Sequence, residues 1–220
     1  MRPHLTCGKI AQVTAVVGVK TKGGVLLAAD SLASNQYTKR ELSLPKVCGV
    51  SELLAIAYCG SLRLGQVLTY YMEDVLDDPP MGGDEHRWAV KELIPKVREL
   101  TEEHGLLHIK NNVEHLGSSA FLLAIRGRLF DVWPDFSVEE TVLPYAVDGS
   151  GADVAIGALQ SAAKGRTDFT EAEALELAIK AINAAADNVP SVGGESITYV
   201  TTVLVTPEER AKSKLISSLR

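Results

Sequence analysis

Thr14, Asp30, Lys46 and Gly60 set a hydroxyl, a carboxylate, an ammonium and a glycine amide along the first third of the chain. Thr14 to Asp30 spans 16 positions, Thr14 to Lys46 spans 32, and Lys46 to Gly60 spans 14. A threonine hydroxyl is a weak nucleophile until a base takes its proton, and a threonine that begins a chain can use its own α-amine as that base. Each residue alone has a plainer reading. Thr14 could be an ordinary strand residue, Asp30 a turn former at a strand end, Lys46 a solvated lysine and Gly60 a glycine at a helix start. Ser150, in Gly149-Ser150-Gly151, could be a helix N-cap. The order and spacing of the set single it out.

The elements that must position these residues begin with VTAVVGVKTKGGVLLAAD, two apolar, β-branched runs joined through Gly23-Gly24. A Gly-Gly pair between such runs predicts a two-residue hairpin turn, so residues 13–31 form a first hairpin. Residues 32–43 read as a polar loop, and runs 46–50 and 53–59 as a second hairpin ending at Gly60. The period then changes: Leu62, Leu64, Val67, Leu68, Tyr71 and Val75 mark one face of a helix. DDPPMGGDE (77–85) breaks the chain. A second helix follows, with Trp88, Val90, Leu93, Ile94, Val97 and Leu100 on its buried face, and stops near Gly105. Residues 118–133 predict strand, turn and strand, and a further strand reaches Val147. Helices span 151–163 and 170–187, the latter opening on Thr170 with Glu173 three residues on, a capping-box pattern. A last strand covers 195–205. Strands, two helices, strands, two helices and a strand make an α+β layering.

Composition narrows the function. At 220 residues the chain is most simply one domain. A formal charge of −6 argues against nucleic acid as the main partner. No run approaches the length of a membrane span, and residues 1–13 lack the apolar core of a secretory signal. Cys7, Cys48 and Cys59 have no metal-ligand spacing, and the last two lie in apolar runs, which predicts buried, reduced thiols and a cytoplasmic setting. His104 and His108 are one helical turn apart, but Gly105 lies between them and no third ligand is evident, so no metal is expected.

From residue 13 onward the sequence resembles the β-type subunits of the 20S proteasome and their bacterial relatives, which are N-terminal-nucleophile (Ntn) hydrolases. The resemblance rests on Thr14 with Gly18, on Gly24 to Asp30, on Lys46 and on Gly60, aligned without a gap. It continues through YAVDGSGADVAIGAL (145–159) and ends at Gly193-Gly194 before the last strand, so it covers nearly the whole chain after residue 12.

This resemblance implies a four-layer αββα sandwich, two stacked antiparallel sheets between helix layers. It implies a leader or tail at 1–13, a single domain at 14–206 and a terminal helix or tail at 207–220. Removal of residues 1–13 would expose Thr14 as nucleophile and amine base. Lys46 would supply positive charge beside the hydroxyl, Asp30 would hold that lysine, the Gly60 amide would receive the oxyanion, and Ser150 would orient the amine. Ala33 and Tyr58 would belong to the pocket for the residue before the cut, with Tyr58 at its floor. The implied partners are copies or homologues of the chain in a ring, unfolded polypeptide as substrate, and a separate ATPase or cap; no cofactor is implied. The chain departs from the family pattern in two places. Val13 stands where leaders usually end in Gly, and gapless matching puts Val189 and Val192 where the family has Asp and Ser, with Asp187 and Ser191 nearby. TAVVG also resembles the opening of the family's non-catalytic α-type subunits, so a structural ring subunit that keeps its leader is the alternative. An amidase of the same fold acting on small amides is a third.

Overall fold

The computed structural model describes residues 14–34, 38–75, 79, 84–194 and 196–203. The expected leader at 1–13 and tail at 207–220 lie outside the described residues. Strands β1 (Val16–Thr21) and β2 (Gly24–Asp30) form the first hairpin. Their register pairs Thr21 with Gly24, so the turn is Lys22-Gly23 and Gly24 opens β2, one residue from the expected Gly23-Gly24 turn. Strands β5 (Val47–Ser51) and β6 (Leu54–Cys59) form the second hairpin as expected, with an irregularity between Gly49 and Ser51. The segment expected as a polar loop instead contains a short hairpin, β3 (Leu32–Ser34) with β4 (Lys39–Glu41).

Helix α1 (Leu62–Val75) buries Leu64, Val67, Leu68 and Met72. Leu62 and Tyr71, expected on that face, are exposed. The next helical stretch runs as α2 (Glu85–Trp88), a wide π turn (Ala89–Leu93) and α3 (Ile94–Glu103). That turn ends just before Pro95, which has no N–H to donate. It also delays the helical phase, so Val90 points outward although an unbroken 3.6-residue period puts it inside. Strands β7 (His108–Lys110) and β8 (Val113–His115) make a small separate hairpin. Strands β9 (Ala120–Ile125), β10 (Arg128–Val132), β11 (Val138–Glu140) and β12 (Tyr145–Asp148) follow. Helices α4 (Ala152–Ala163) and α5 (Glu171–Asn188) precede β13 (Ile197–Val203). The expected capping box is present: Thr170 Oγ1 accepts the Glu173 N–H at 3.3 Å, and Glu173 Oε2 accepts the Thr170 N–H at 2.8 Å.

The strands form two main antiparallel sheets, ordered β12-β1-β2-β13 and β11-β10-β9-β6-β5. Val16, Leu27, Ala29, Ala57, Cys59, Leu122 and Leu129 fill the space between them. The outer face of the five-stranded sheet packs through Ile56, Tyr58, Phe121 and Phe130 against Leu68, Leu93 and Val97 of the first helix layer. The outer face of the four-stranded sheet packs through Val17, Val19, Leu26 and Ala28 against Leu159, Leu177 and Ile182 of α4 and α5. A strand covered on both faces has no polar side, which is why β2, β6 and β9 are buried along their whole length and read as continuous apolar runs. The fold is the expected α+β sandwich, helices–sheet–sheet–helices.

Candidate active site

Antiparallel pairing brings distant residues together at one end of the two sheets. Val16 of β1 pairs with Ala29 of β2 on one side and with Asp148 of β12 on the other. Thr14, two residues before Val16, therefore lies between the end of β2, where Asp30 sits, and the Gly149-Ser150-Gly151 turn that follows β12. Asp30 is fully buried, and Lys46 is 3% exposed.

The Asp30 carboxylate gathers the site. Its Oδ1 accepts the Lys46 ammonium at 2.8 Å and the Ala15 N–H at 3.1 Å, while Oδ2 accepts the Gly193 N–H at 3.0 Å. Lys46 Nζ also donates to the Leu32 carbonyl at 2.5 Å. A buried ion pair is tolerated when further hydrogen bonds compensate for lost water, and these do so. The shared Oδ1 fixes the ammonium beside the residue that follows Thr14. Burial pushes the Lys46 pKa below the ordinary lysine value, against the pull of Asp30, which leaves it more ready to give up a proton.

The glycine-flanked turn holds Thr14 by its backbone. Ser150 Oγ accepts the Thr14 N–H at 3.3 Å, and the Gly151 N–H donates to the Thr14 carbonyl at 3.2 Å. Gly149 has φ +101°, and a Cβ there would collide with the Thr14 carbonyl oxygen, so the turn closes on Thr14 only because residue 149 has no side chain. The N-cap of α4 is Gly151, without a side-chain cap; Ser150 is left free to reach Thr14. Gly60, at the end of β6, has φ +97°, and a Cβ there would lie 2.7 Å from the Ser119 Cα. It turns the chain from β6 into α1.

The structure thus brings together Thr14, Asp30, Lys46 and Ser150. Ser191 joins them, its Oγ 2.9 Å from Ser150 Oγ. Ser191 stands one position before the place where gapless matching expects a serine, while Val192 is buried among the α5-side core residues and approaches Gly151. Ala33 lies half-buried on β3. Tyr58 faces the first helix layer, with its ring in the hollow left by Gly65 of α1 and its hydroxyl without a hydrogen-bond partner among the described residues. Cys59 is not a competing nucleophile: burial first, then the nearby Asp148 carboxylate, pushes its thiol well above the ordinary range. His104 meets Arg63 and the Tyr71 ring, whereas His108 stacks on His115, so the two histidines face different neighbours. Among the described residues no helix is long and apolar enough to cross a membrane.

Sequence reasoning missed Ser31 and Glu41, which adjoin this cluster. Ser31 immediately follows Asp30, but Glu41 belongs to a hairpin that carries no apolar period.

Known proteins share this architecture. The profile of the family described as "Proteasome subunit" matches residues 10–201. Proteasome subunit beta 1 of Pyrococcus furiosus is 29% identical over 196 residues, covering 86% of this chain and 91% of that protein. The proteasome subunit beta of Haloferax volcanii is 27% identical over 191 residues, covering 86% and 73%. Among solved structures, Thiobacillus denitrificans BPH superposes with a TM-score of 0.68 at 23% identity, covering 87% of this chain and 98% of that one. The same protein in complex with epoxomicin gives 0.67 at 24% identity, covering 87% and 99%. With the profile matched across most of its length and β subunits among its relatives, the chain belongs to the proteasome subunit family as a β-type member.

Proposed function

We propose that the protein is a threonine peptidase, made as a precursor and activated when residues 1–13 are removed to free the Thr14 amine. The observation that carries this reading is the buried Asp30 carboxylate, which binds Lys46, the Ala15 amide and the Gly193 amide while Ser150 meets Thr14 N. With residue 13 attached, Thr14 N is a peptide amide and no base. Once free, an α-amine titrates at about 7.7–8.0, so a useful fraction is neutral near pH 7.

In this mechanism the Thr14 Oγ attacks the substrate carbonyl as its proton passes to the amine. The tetrahedral oxyanion takes the Gly60 N–H, a type of contact worth about 100- to 1000-fold in rate. Collapse breaks the C–N bond, and the leaving amine takes the proton. Water then hydrolyses the Thr14 ester, with the amine again acting as base. Lys46 lowers the cost of negative charge on the hydroxyl oxygen, and Asp30 holds it in place. The Ser150–Ser191 pair orients the amine.

Substrates are unfolded polypeptides admitted to a ring of copies or homologous subunits in the cytoplasm, delivered by a separate ATPase or cap. Tyr58, filling the Gly65 hollow, supports a shallow pocket that favours small side chains before the cut, with Ala33 at its side. The processed protein is expected to hydrolyse fluorogenic peptides and to gain the mass of epoxomicin on Thr14. Thr14→Ala is expected to do neither. Hydrolysis that survives Thr14→Ala would rule the mechanism out.

A further inference from the structure

We propose that Glu41 is a positioning residue: acting with Ser31, it clamps the loop from Gly193 to Ser196 so that the Gly193 amide stays on the Asp30 carboxylate. This rests on the reading of Asp30 and Lys46 as parts of the catalytic set.

Asp30, Ser31 and Leu32 are consecutive, and each one holds this loop. Asp30 Oδ2 takes the Gly193 N–H at 3.0 Å, and the Leu32 N–H donates to the Gly193 carbonyl at 3.0 Å. Ser31, between them and buried, accepts the Ser196 N–H on its Oγ at 3.2 Å. Its one hydroxyl proton has two acceptors in reach, the Ser196 carbonyl at 2.7 Å and Glu41 Oε1. Ser196 Oγ donates to the same Glu41 oxygen at 3.4 Å.

Glu41 reaches this place because the β3–β4 hairpin folds back in register, pairing Leu32 with Glu41, and because the Leu42 N–H donates to the Ser31 carbonyl at 2.9 Å. Gly194 shows how tightly the clamp is seated. Its φ is +106°, and a Cβ there would collide with Ser31 Oγ and lie 2.7 Å from Glu41 Oε2. Ser31 and Glu41 occupy the volume a side chain at 194 would need. The carboxylate's charge also favours the ammonium form of Lys46 against the effect of burial. Without Glu41, the loop keeps its Asp30, Leu32 and Ser31 bonds but loses the carboxylate that holds the Ser31 and Ser196 hydroxyls at its far end. The Gly193 amide, and with it the Asp30–Lys46 geometry, is then free to shift. A displacement of about 1 Å in such a support can cost on the order of 100-fold in rate.

The test uses the full chain carrying Glu41→Ala, Glu41→Gln or Gly194→Ala. Hydrogen exchange of peptides covering 190–197 reads the loop whether or not Thr14 reacts. Exchange is expected to rise about tenfold or more in Glu41→Ala and Gly194→Ala, and to stay near wild type in Glu41→Gln, which keeps an acceptor. Peptide hydrolysis by the processed proteins is expected to lose about 10- to 100-fold in kcat in Glu41→Ala with KM little changed, and Glu41→Gln is expected to recover most of it. Ser31→Ala carries the Glu41→Ala expectation should that variant not fold. Unchanged exchange in Glu41→Ala overturns the clamp, and faster exchange with unchanged kcat overturns the positioning role. If the processed wild type is inert while the exchange pattern is as expected, Thr14 is no nucleophile and the positioning role falls with it, although the clamp itself stands.

Discussion

At the scale of the residue, Asp30 bears the most. One buried carboxylate binds an ammonium and two backbone amides from three separate parts of the chain. Lys46→Ala would leave that charge unpaired, and removing one partner of a buried pair costs about 3–5 kcal/mol. A urea-midpoint measurement on Lys46→Ala is therefore expected to show a loss of that size, together with complete loss of peptide hydrolysis. A second carboxylate gives a pH dependence. Burial, then the Asp148 charge, raises the Asp131 carboxyl from its ordinary value of 3.8 to about 7. The folded protein thus holds a proton near neutrality that the unfolded chain has released. The associated stability is fully present below about pH 4 and is lost as pH rises through about 7. Asp131→Asn is expected to flatten the fall in stability between about pH 4 and pH 7; an identical fall in the variant would remove Asp131 as its source. Thr14, Asp30, Lys46 and Ser150 were legible as neighbours through the family resemblance rather than through any strand pattern, since Thr14 precedes β1, Lys46 precedes β5 and Ser150 follows β12. Ser191 was not legible in its place, because counting back from Gly193-Gly194 cannot reveal how the loop after α5 folds.

At the scale of the element, local signals succeeded where they were chemical and failed where they were only absent. Thr170 and Glu173 cap α5 reciprocally. Thr170→Ala is expected to lower thermal stability by about 1 kcal/mol and leave the site's geometry intact. The β3–β4 hairpin escaped notice because Lys39, Arg40 and Glu41 are all exposed, so β4 shows no alternation of apolar and polar residues. Its β4 strand is held by pairing with β3 and by Glu41's contacts with Ser31 and Ser196 rather than by burial. The phase of the helix after residue 84 was misread at Val90 because the π turn at Ala89–Leu93 adds to the helical repeat, a change that no periodic template contains. The first hairpin was placed correctly and its turn missed by one residue, since Lys22 rather than a second glycine fills the turn.

At the scale of the whole molecule, two sheets share one apolar interface and each is covered by helices, which leaves the sheet ends as the place for polar chemistry. Thr14 lies at such an end, and in the proposed mechanism its reactivity depends on a covalent event, the loss of the preceding residues. Val13 is β-branched, and in the proposed mechanism it precedes the bond that must break. Val13→Gly is therefore expected to speed the release of residues 1–13, followed as a time course by mass. The most direct test of the central claim is the intact mass of the purified, assembled protein beside its Thr14→Ala variant. If Thr14 cuts its own leader, the wild type loses residues 1–13 and the variant keeps them. A full-length wild-type chain in assembled rings would contradict the claim and leave either a structural subunit that retains its leader or a precursor awaiting a partner.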